Sequence, residues 1–544
     1  MTWRPALLLA GTVLAALLLL APRTTLWDRD EPRYAQAAVE MVRSGDLLVP
    51  TFNGGLRAKK PVLVTWLMAA SVGLLGPTEL AVRAFSAAGI AGAVFLTALA
   101  GARLLGPGAG LLSGAVLATS PLVVLQGLAA TTDAVLLAFV TLSIALVARN
   151  LARGPSAGRT AALGLALGGA LLAKGPVGLA VPVLVAGGAL ALLPSVAGGR
   201  RAQVRSLLLV SLLGLALFAA WFLPANAATR GRFLEIGLGR EVLHRAATPM
   251  EGHGGGFLLS LPYYLPVLLA GLFPWSVHLP AALLAAVRRR REGELSAGLL
   301  LAWAVAPLVL FTLVATKLPH YVLPCFPALA LLVGWFLERA RRGELSPSEE
   351  RWLVRGAWGG AAVSALLLAA LLVAFERLPV PGARAPLVAM ALLVVASAPA
   401  ALVLSVRRSF AAAVWVLLAG TASVEAVAAG WLAPSLEAVK PVPRIAAAIR
   451  AATPRGVPVA SVGFGEPSLV FYAGRLPVAQ LPDMESAAVW ARRPGPGVLV
   501  ASREALDALL ARPDAPRLRL FARESGIDVV RMRPLELVAL HRNP

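Results

Sequence analysis

The chain has 544 residues, of which 58% are hydrophobic and 14% charged, and its mean hydropathy is +0.77. An average soluble domain has about 25% charged residues, so this composition excludes a soluble globular protein, a disordered chain and a nucleic-acid-binding module. The net charge is +22, and much of it lies in loops between apolar runs, which is typical of a polytopic membrane protein. A single cysteine, Cys325, leaves no intramolecular disulfide to predict.

The first apolar run, residues 5–21, is predicted to be a retained membrane helix. A signal peptide is the alternative, but no small-residue cleavage site follows the run. Counting this run, the sequence contains thirteen candidate spans. They cover residues 5–21, 80–102, 108–128, 132–148, 160–174, 177–193, 206–226, 258–287, 297–315, 321–338, 356–376, 386–405 and 410–431. The run after Phe257 is long enough to tilt or break.

Charge fixes the expected orientation of these spans. With the N-terminus in the cytoplasm, alternation places arginine-rich loops such as 288–291 and 407–408 inside, as the positive-inside rule requires. The same count places residues 22–79, 227–256, 316–320 and 433–544 outside. We therefore expect a multi-pass protein of a bacterial cytoplasmic (inner) membrane, with its functional loops and C-terminal domain on the outer, periplasmic face.

Residues 61–76 are apolar but only marginally long enough for a span. A span here would move every later loop to the opposite side, including the four-arginine loop 288–291. We therefore predict an interfacial or re-entrant helix, which would hold the first outer loop (residues 22–79) at head-group depth.

The amino-acid composition changes after Trp431, where proline, charged residues and short alternating elements replace the apolar runs. This change predicts a membrane domain over residues 1–432 and a small extracytoplasmic α/β domain over residues 433–544. In the second domain, helices are predicted at 443–452, 466–474 and 503–511, and strands at 457–463, 497–502, 518–522 and 528–540.

The densest polar cluster, residues 27–34, follows the first span directly. A solvated loop is the ordinary interpretation of such a cluster. Against it, an amphipathic helix is predicted at 35–46, and a basic segment with Arg57, Lys59 and Lys60 precedes the apolar helix 61–76. Arginine and lysine together suit the phosphate of a lipid. Because adjacent residues point apart, we expect Lys60 and not Lys59 to face the pocket.

Three further polar positions lie at predicted outer ends of spans. Asp133 begins the fourth span, where a carboxylate is costly and usually functional, although it could instead cap the helix. Lys174 precedes Gly175-Pro176 and could bind an anion or simply extend its ammonium to the interface. The short outer loop from Lys317 to Tyr321, which includes His320, is a further candidate for the site, with an ordinary turn and an interfacial tyrosine as the alternative.

Several segments taken together resemble glycosyltransferase family 39/83, and within it the lipid A 4-amino-4-deoxy-L-arabinose transferases. They are Asp30-Glu-Pro-Arg-Tyr34, Lys60-Pro61, the Ala-Leu-Leu-Ala-Lys-Gly-Pro segment that contains Lys174, residues 263–276, and residues 317–329. The resemblance covers roughly residues 20–335. It implies a GT-C fold, an all-α polytopic membrane protein of about thirteen transmembrane helices with a small C-terminal α/β domain.

The resemblance also implies roles for individual residues. Asp30 and Asp133 correspond to catalytic acids, Arg33, Lys60 and Lys174 to ligands of the donor phosphate, and Tyr34, Lys317 and Tyr321 to the donor pocket. Glu31 and His253 are candidates for a metal or acceptor contact. Aminoarabinose transferases usually have glutamate where this chain has Lys59, and a lysine cannot hold a metal.

The implied activity is an inverting transfer of a sugar from a polyprenyl (undecaprenyl) phosphate carrier to an envelope acceptor, such as aminoarabinose to lipid A. No organic cofactor is expected. A divalent metal ion is possible, but ligand spacing does not support one. The expected partners are the lipid-linked donor, a lipid or glycan acceptor and membrane lipids, without nucleic acid. A protein O-mannosyltransferase-like enzyme and a polytopic lipid or sugar transporter are the alternatives. The transporter predicts paired half-repeats, which the sequence does not show.

Overall fold

The computed structural model describes residues 3–248, 260–378, 380–475 and 477–542. The described part of the chain before residue 440 is mostly helical. Its main helical segments are Trp3–Leu20, Asp30–Ser44, Leu63–Leu75, Glu79–Leu104, Pro107–Ala118, Pro121–Gly127, Asp133–Arg153, Ala157–Lys174, Pro176–Leu192, Gly199–Ala228, Leu234–His244, Tyr264–Gly271, Leu279–Arg291, Leu295–Leu313, Phe326–Arg341, Pro347–Arg377, Arg384–Val406 and Phe410–Val427.

Many of these helices have the length and apolar character of membrane spans. Within the described ranges, nine helical segments are long and apolar enough to cross a membrane, or up to eleven if each of two bent pairs counts as one span. The predicted count of thirteen is therefore not confirmed. The remaining two predicted spans correspond to the helices Ala157–Lys174 and Pro176–Leu192, which have 18 and 17 residues. The chain is an integral membrane protein.

The candidate span at 108–128 is not one straight helix, because the structure bends there. The helices Pro107–Ala118 and Pro121–Gly127 meet at 67°. Proline restricts the preceding residue to extended backbone, and Ser120 accordingly has φ −97° and ψ 119°. The run after Phe257 also breaks, as the sequence allowed: its described helices, Leu261–Gly271 and Trp275–Arg291, meet at 111°.

The first outer loop is more helical than predicted. A helix begins at Asp30 itself, so the Asp-Glu-Pro-Arg-Tyr segment forms its first turns and not a separate turn. Acidic residues suit the positive end of the helix dipole, and proline is tolerated in the first turn. The helix ends at Gly45, whose φ of +71° suits glycine. A hairpin of β1 (Thr51–Phe52) and β2 (Gly55–Leu56) follows.

The short apolar helix of this loop, Leu63–Leu75, has 13 residues. At 1.5 Å per residue it is about 20 Å long, which is less than the ~30 Å of a bilayer's hydrocarbon core. Its length therefore agrees with the prediction that this segment does not cross the membrane.

The chain from Pro441 to Arg542 forms a five-stranded mixed sheet with helices. The strands are β3 (Val459–Val462), β4 (Val478–Leu481), β5 (Gly497–Ser502), β6 (Leu518–Asp528) and β7 (Arg533–Arg542), in the order β4-β3-β5-β7-β6. The helices are Pro441–Ala452, Pro467–Ala473, Met484–Ala491 and Arg503–Leu510. Only the pairs of β3 with β4 and β5 are parallel.

Two details of this sheet differ from the sequence prediction. The predicted strand 528–540 begins late, because the Asp528 carboxylate accepts hydrogen bonds from the amides of Val530 and Arg531 and closes a turn. The prediction also missed β4 and the helix Met484–Ala491, which are only four and eight residues long.

The C-terminal sheet and its helices contact the first outer loop at several places, and two of these contacts lie close to predicted site residues. The Asp28 carboxylate accepts a hydrogen bond from the amide of Ser468 at 2.9 Å and another from its hydroxyl. The Asn53 side chain donates to the carbonyl of Val478 at 2.9 Å and accepts from its amide at 2.8 Å. Asp28 precedes the helix that begins at Asp30, and Asn53 precedes the basic segment.

Candidate active site

Side chains from distant parts of the chain line one polar cavity of about 880 Å³. The cavity combines six cationic and three acidic side chains with aromatic and neutral polar ones. Its lining residues are Asp30, Arg33, Tyr34, Arg57, Lys59, Lys60, Gln126, Thr131, Thr132, Asp133, Lys174, Glu241, Arg245, Leu318, His320 and Tyr321. Most of the residues that the sequence analysis selected therefore meet in one place.

An apolar cleft of about 600 Å³ adjoins the polar cavity. Its lining includes Phe218, Trp221, Phe222 and Phe233, and their rings pack against one another. The cleft and the cavity share four lining residues: Lys59, Lys60, Lys174 and Glu241. Three of these four are cations, so positive charge marks the junction of a polar space with an apolar one.

Asp133 lies deep in the polar cavity with its charge already paired. Lys174 Nζ is 2.5 Å from Asp133 Oδ1, and His320 Nε2 is 3.9 Å from Oδ2. Asp133 is the first residue of its helix and not its cap, which is Thr132. The alternative of a pure helix cap is therefore not what the structure shows. An acid paired so closely is a weak base, and Asp133 is placed to hold Lys174.

Lys174 reaches this position because two helices break around it. The helix Ala157–Lys174 ends there, Gly175 adopts a left-handed φ of +69°, and the next helix begins at Pro176. The ammonium also lies 5.1 Å from the centre of the Tyr321 ring. The lysine is nearly buried, so its charge serves the cavity and does not extend into solvent as the alternative assumed.

Asp30 is the acid of the cavity whose oxygens stay accessible. Its side chain is 66% exposed, and Arg33 Nη1 lies 3.9 Å away, which is longer than a hydrogen bond. A general base needs a free lone pair within reach of the proton that it removes. Of the three acids that line the cavity, Asp30 meets this requirement best.

Lys59 and Lys60 both line the cavity, so the expectation that only Lys60 would do so is wrong. They differ in their surroundings. Lys59 Nζ is 3.7 Å from Glu241 Oε1, and its side chain is 42% exposed. Lys60 is half-buried, and desolvation of its ammonium, with the nearby charge of Lys174, lowers its pKa to about 8. Glu241 also pairs with Arg245 at 3.1 Å.

Arg57 was part of the predicted basic segment but had no assigned role. Its guanidinium carbon lies 4.5 Å from the centre of the Tyr34 ring, and the residue is 9% exposed. Burial lowers the pKa of Arg57 and raises that of the Tyr34 hydroxyl.

Glu241 and Arg245 also line the cavity, although no role was predicted for them. They lie in a segment without a recognisable motif, so only the fold brings them to the site.

Glu31 does not face the cavity, and the prediction of a metal or acceptor contact is wrong for it. Its carboxylate forms a bidentate pair with Arg83 at 2.7 and 2.8 Å. It also accepts hydrogen bonds from the amides of Trp27 and Ala130. With both oxygens occupied and 4% of the residue exposed, Glu31 fixes the first outer loop to the bundle.

Lys317 is also occupied elsewhere, so its predicted place in the donor pocket is not supported. Its ammonium donates to the carbonyls of Phe311, Thr312 and Val314. These carbonyls end the helix Leu295–Leu313 and have no partner within it. Tyr321, by contrast, does line the cavity, as predicted from the same segment.

The predicted contact at His253 lies outside the described residues. Among the residues that the structure describes, no group of three or more His, Cys, Asp or Glu side chains is placed to hold a metal ion. Lys59, where the resemblance implied a glutamate, carries an ammonium, which is not a metal ligand.

Comparison with known proteins extends this picture. Residues 59–223 match the family described as dolichyl-phosphate-mannose-protein mannosyltransferase. An undecaprenyl phosphate-alpha-4-amino-4-deoxy-L-arabinose arabinosyl transferase of Edwardsiella ictaluri is 35% identical over 336 residues, 58% of this chain and 56% of the relative. A Pseudomonas fluorescens relative of the same description is 34% identical and covers 61% of this chain and 59% of its own. The match thus spans little more than half the length of these curated relatives.

Solved structures match over nearly the whole chain. ArnT from Cupriavidus metallidurans, bound to undecaprenyl phosphate, superposes with a TM-score of 0.81 at 23% identity, covering 98% of this chain and 97% of ArnT. The chain has the GT-C fold. An archaeal oligosaccharyltransferase, AglB from Archaeoglobus fulgidus, matches with a TM-score of 0.51. The predicted fold class and the resemblance to these transferases are therefore confirmed, and the relatives indicate a bacterial inner-membrane protein.

Proposed function

We propose that this chain transfers a sugar from a polyprenyl phosphate carrier to an envelope acceptor. The observation that carries the proposal is the cationic junction between the polar cavity and the apolar cleft. A polyprenyl-phosphate sugar has a long apolar tail, an anionic phosphate and a polar sugar, in that order. The donor fits the site in this order, with its tail in the apolar cleft, its phosphate at Lys60 and its sugar in the polar cavity.

The residues of the cavity suit an inverting displacement. A prenyl phosphate is an adequate leaving group, so the site has to stabilise the charge that develops on its oxygens, which Lys60 at the junction is placed to do. Arg33 lines the polar cavity but not the apolar cleft, and it lies beside Asp30. Asp30 orients the acceptor and takes its proton where the acceptor is a hydroxyl. Asp133 holds Lys174 and is a positioning residue. No step of this scheme passes through a metal ion or an organic cofactor.

The names of the relatives point to the sugar. Both curated relatives are named for undecaprenyl phosphate-linked aminoarabinose, and the solved ArnT was bound to undecaprenyl phosphate. We therefore propose aminoarabinose or a related sugar as the donor group and lipid A as the acceptor. We also propose that the cavity opens on the outer, periplasmic face, because the arginine-rich loops fix the opposite side as cytoplasmic.

The direct test is sugar transfer by the purified protein. We expect the protein, given undecaprenyl phosphate-linked aminoarabinose and lipid A, to yield lipid A with the added mass of the sugar. Mass spectrometry of lipid A from cells with and without the gene should show the same difference. Unchanged lipid A in both experiments would contradict the acceptor assignment.

A second candidate is protein O-mannosyl transfer, which the family match at residues 59–223 favours. It uses the same cavity with a different acceptor. Supplying polyprenyl phosphate-linked mannose with serine-rich and threonine-rich peptides would distinguish the two, because a lipid A-specific enzyme leaves the peptides unmodified. A transporter would instead move the donor across the membrane of proteoliposomes without breaking the sugar–phosphate bond.

A further inference from the structure

The cations of the polar cavity differ in whether the protein already neutralises them. Lys174 pairs with Asp133, and Arg245 with Glu241. Arg33 has Asp30 within 3.9 Å. Lys60 and Arg57 make no ion pair with any residue in the described ranges. A phosphodiester donor carries one negative charge, so it leaves one of these two cations without a partner.

Arg57 is built into the site rather than exposed beside it. The residue is 91% buried, since 9% of its surface is exposed, and the guanidinium stacks on Tyr34. Its backbone amide donates to the carbonyl of Pro50 at 2.9 Å, which anchors the segment. Yet the guanidinium donates no hydrogen bond to any residue of the described chain. Its N–H groups therefore remain available in the polar cavity, where the oxygens of a ligand can accept hydrogen bonds from them.

The position of Arg57 separates it from the donor phosphate. Lys59, Lys60 and Lys174 line both the polar cavity and the apolar cleft, whereas Arg57 lines the polar cavity alone. A phosphate that is tethered to an apolar tail is held at the junction. Arg57 therefore lies on the sugar and acceptor side of that phosphate.

We propose that Arg57 forms a second anion-binding site in the polar cavity, for a phosphate or carboxylate of the substrates other than the donor phosphate. A planar guanidinium held against an aromatic ring presents its N–H groups as a fork, which matches two oxygens of such an anion. The anion belongs either to a phosphorylated acceptor or to an acidic sugar. This inference rests on the proposed function and deepens it.

The test compares Arg57→Gln with Arg57→Lys and with Arg43→Gln, an exposed arginine of the same loop. With lipid A that carries two phosphates, Arg57→Gln should raise the acceptor KM roughly ten- to a hundredfold, while the donor KM changes little. Arg57→Lys keeps the charge but not the fork and should fall between. Arg43→Gln should match the wild type. Thermal unfolding of each variant in detergent checks folding.

Two substrate arms identify the source of the anion. If it is an acceptor phosphate, dephosphorylated lipid A should bind the wild type and Arg57→Gln equally weakly. If it is a sugar carboxylate, the variant should instead lose selectivity for a uronic acid donor over its neutral analogue. An Arg57→Gln protein that behaves as wild type in both arms, or that loses undecaprenyl phosphate binding as Lys60→Ala does, would overturn the proposal.

One further measurement separates this inference from the proposed function. Stabilisation of the protein against heat by lipid A, without any donor, reports acceptor binding, and the part of it that is lost in Arg57→Gln reports the anion. Wild-type stabilisation that depends on Arg57, with no transfer from any polyprenyl donor, would disprove the function but not the site. Transfer without any dependence on Arg57 would disprove the site alone.

Discussion

Asp28 and Asp30 stand two residues apart, and only their surroundings distinguish them. Asp28 is half-buried against Ser468, and desolvation raises the pKa of its carboxyl to about 6. Asp30 begins a helix and faces the polar cavity with exposed oxygens. The first carboxylate is thus committed to a contact within the protein, and the second is available to a substrate.

Asp30→Asn should therefore abolish transfer while leaving donor binding nearly unchanged, since it removes the charge of the base and keeps its shape. The loss should be at least the ~10²–10⁴-fold that proton transfer contributes. Asp28→Asn keeps an oxygen for the Ser468 amide and should stay within a few-fold of wild type. Transfer rates and donor affinities of both purified variants would check this. Near-wild-type turnover of Asp30→Asn would make Asp133 the residue to test.

The pKa of Lys60, which burial lowers to about 8, predicts a pH dependence of donor binding. The ammonium is protonated below that pH and loses its charge above it, while a phosphodiester keeps its negative charge throughout. Donor affinity should accordingly fall as the pH rises through about 8. In Lys60→Arg the charge persists and this decline should disappear. Donor KM measured across this range would test it, and a flat wild-type profile would contradict the assignment.

At the scale of elements, the break after Lys174 was predictable and the partners of other charges were not. Glycine followed by proline ends a helix by local backbone chemistry, which needs no knowledge of the fold. Glu31, by contrast, pairs with Arg83 more than fifty residues away. The sequence showed that an acid, Glu31, lies next to Asp30. It did not show that Arg83 would pair with this acid. Lys317 was misassigned for the same reason, because carbonyls at a helix end carry no sequence signature.

Gly175→Ala should test how far the site depends on this break. A side chain at a φ of +69° and ψ of −145° strains the backbone by about 1–3 kcal/mol, and relief of that strain would displace Lys174. We expect a lower unfolding temperature and weaker transfer. Gly187→Ala is the matched control, because it lies within a helix with open space around it and should be neutral or slightly stabilising. Equal behaviour of the two variants would show that the break is unimportant.

At the scale of the whole molecule, the structure joins segments that the sequence could place only by counting spans. The motifs near residues 30, 60, 133, 174 and 320 meet in one cavity, which agrees with their predicted location on one face. Composition was enough for the membrane class, whereas the GT-C fold was implied by the resemblance of several motifs to a known family. The exact span count was not predictable, because helices bent at Ser120-Pro121 or shortened to 17 residues can be counted in more than one way.

Orientation should be testable with single cysteines in a Cys325→Ala background. Ser44 and Ser525 are exposed in the first outer loop and the C-terminal sheet, and Glu292 is exposed beside the four-arginine loop. Cysteines at Ser44 and Ser525 should react with an impermeant maleimide in intact spheroplasts. A cysteine at Glu292 should react only after permeabilisation. The reverse pattern would place the cavity in the cytoplasm.

The contacts of the C-terminal sheet with the first outer loop bear on how such proteins can diversify. Ser468 holds the chain two residues before Asp30, and Val478 holds it four residues before Arg57. The soluble part is therefore not an interchangeable accessory. We expect a chimera with a relative's C-terminal region to lose transfer unless the donors to Asp28 and the edge facing Asn53 are transplanted with it. Selection on the chemistry of the membrane cavity would then also constrain a surface that lies outside the membrane bundle.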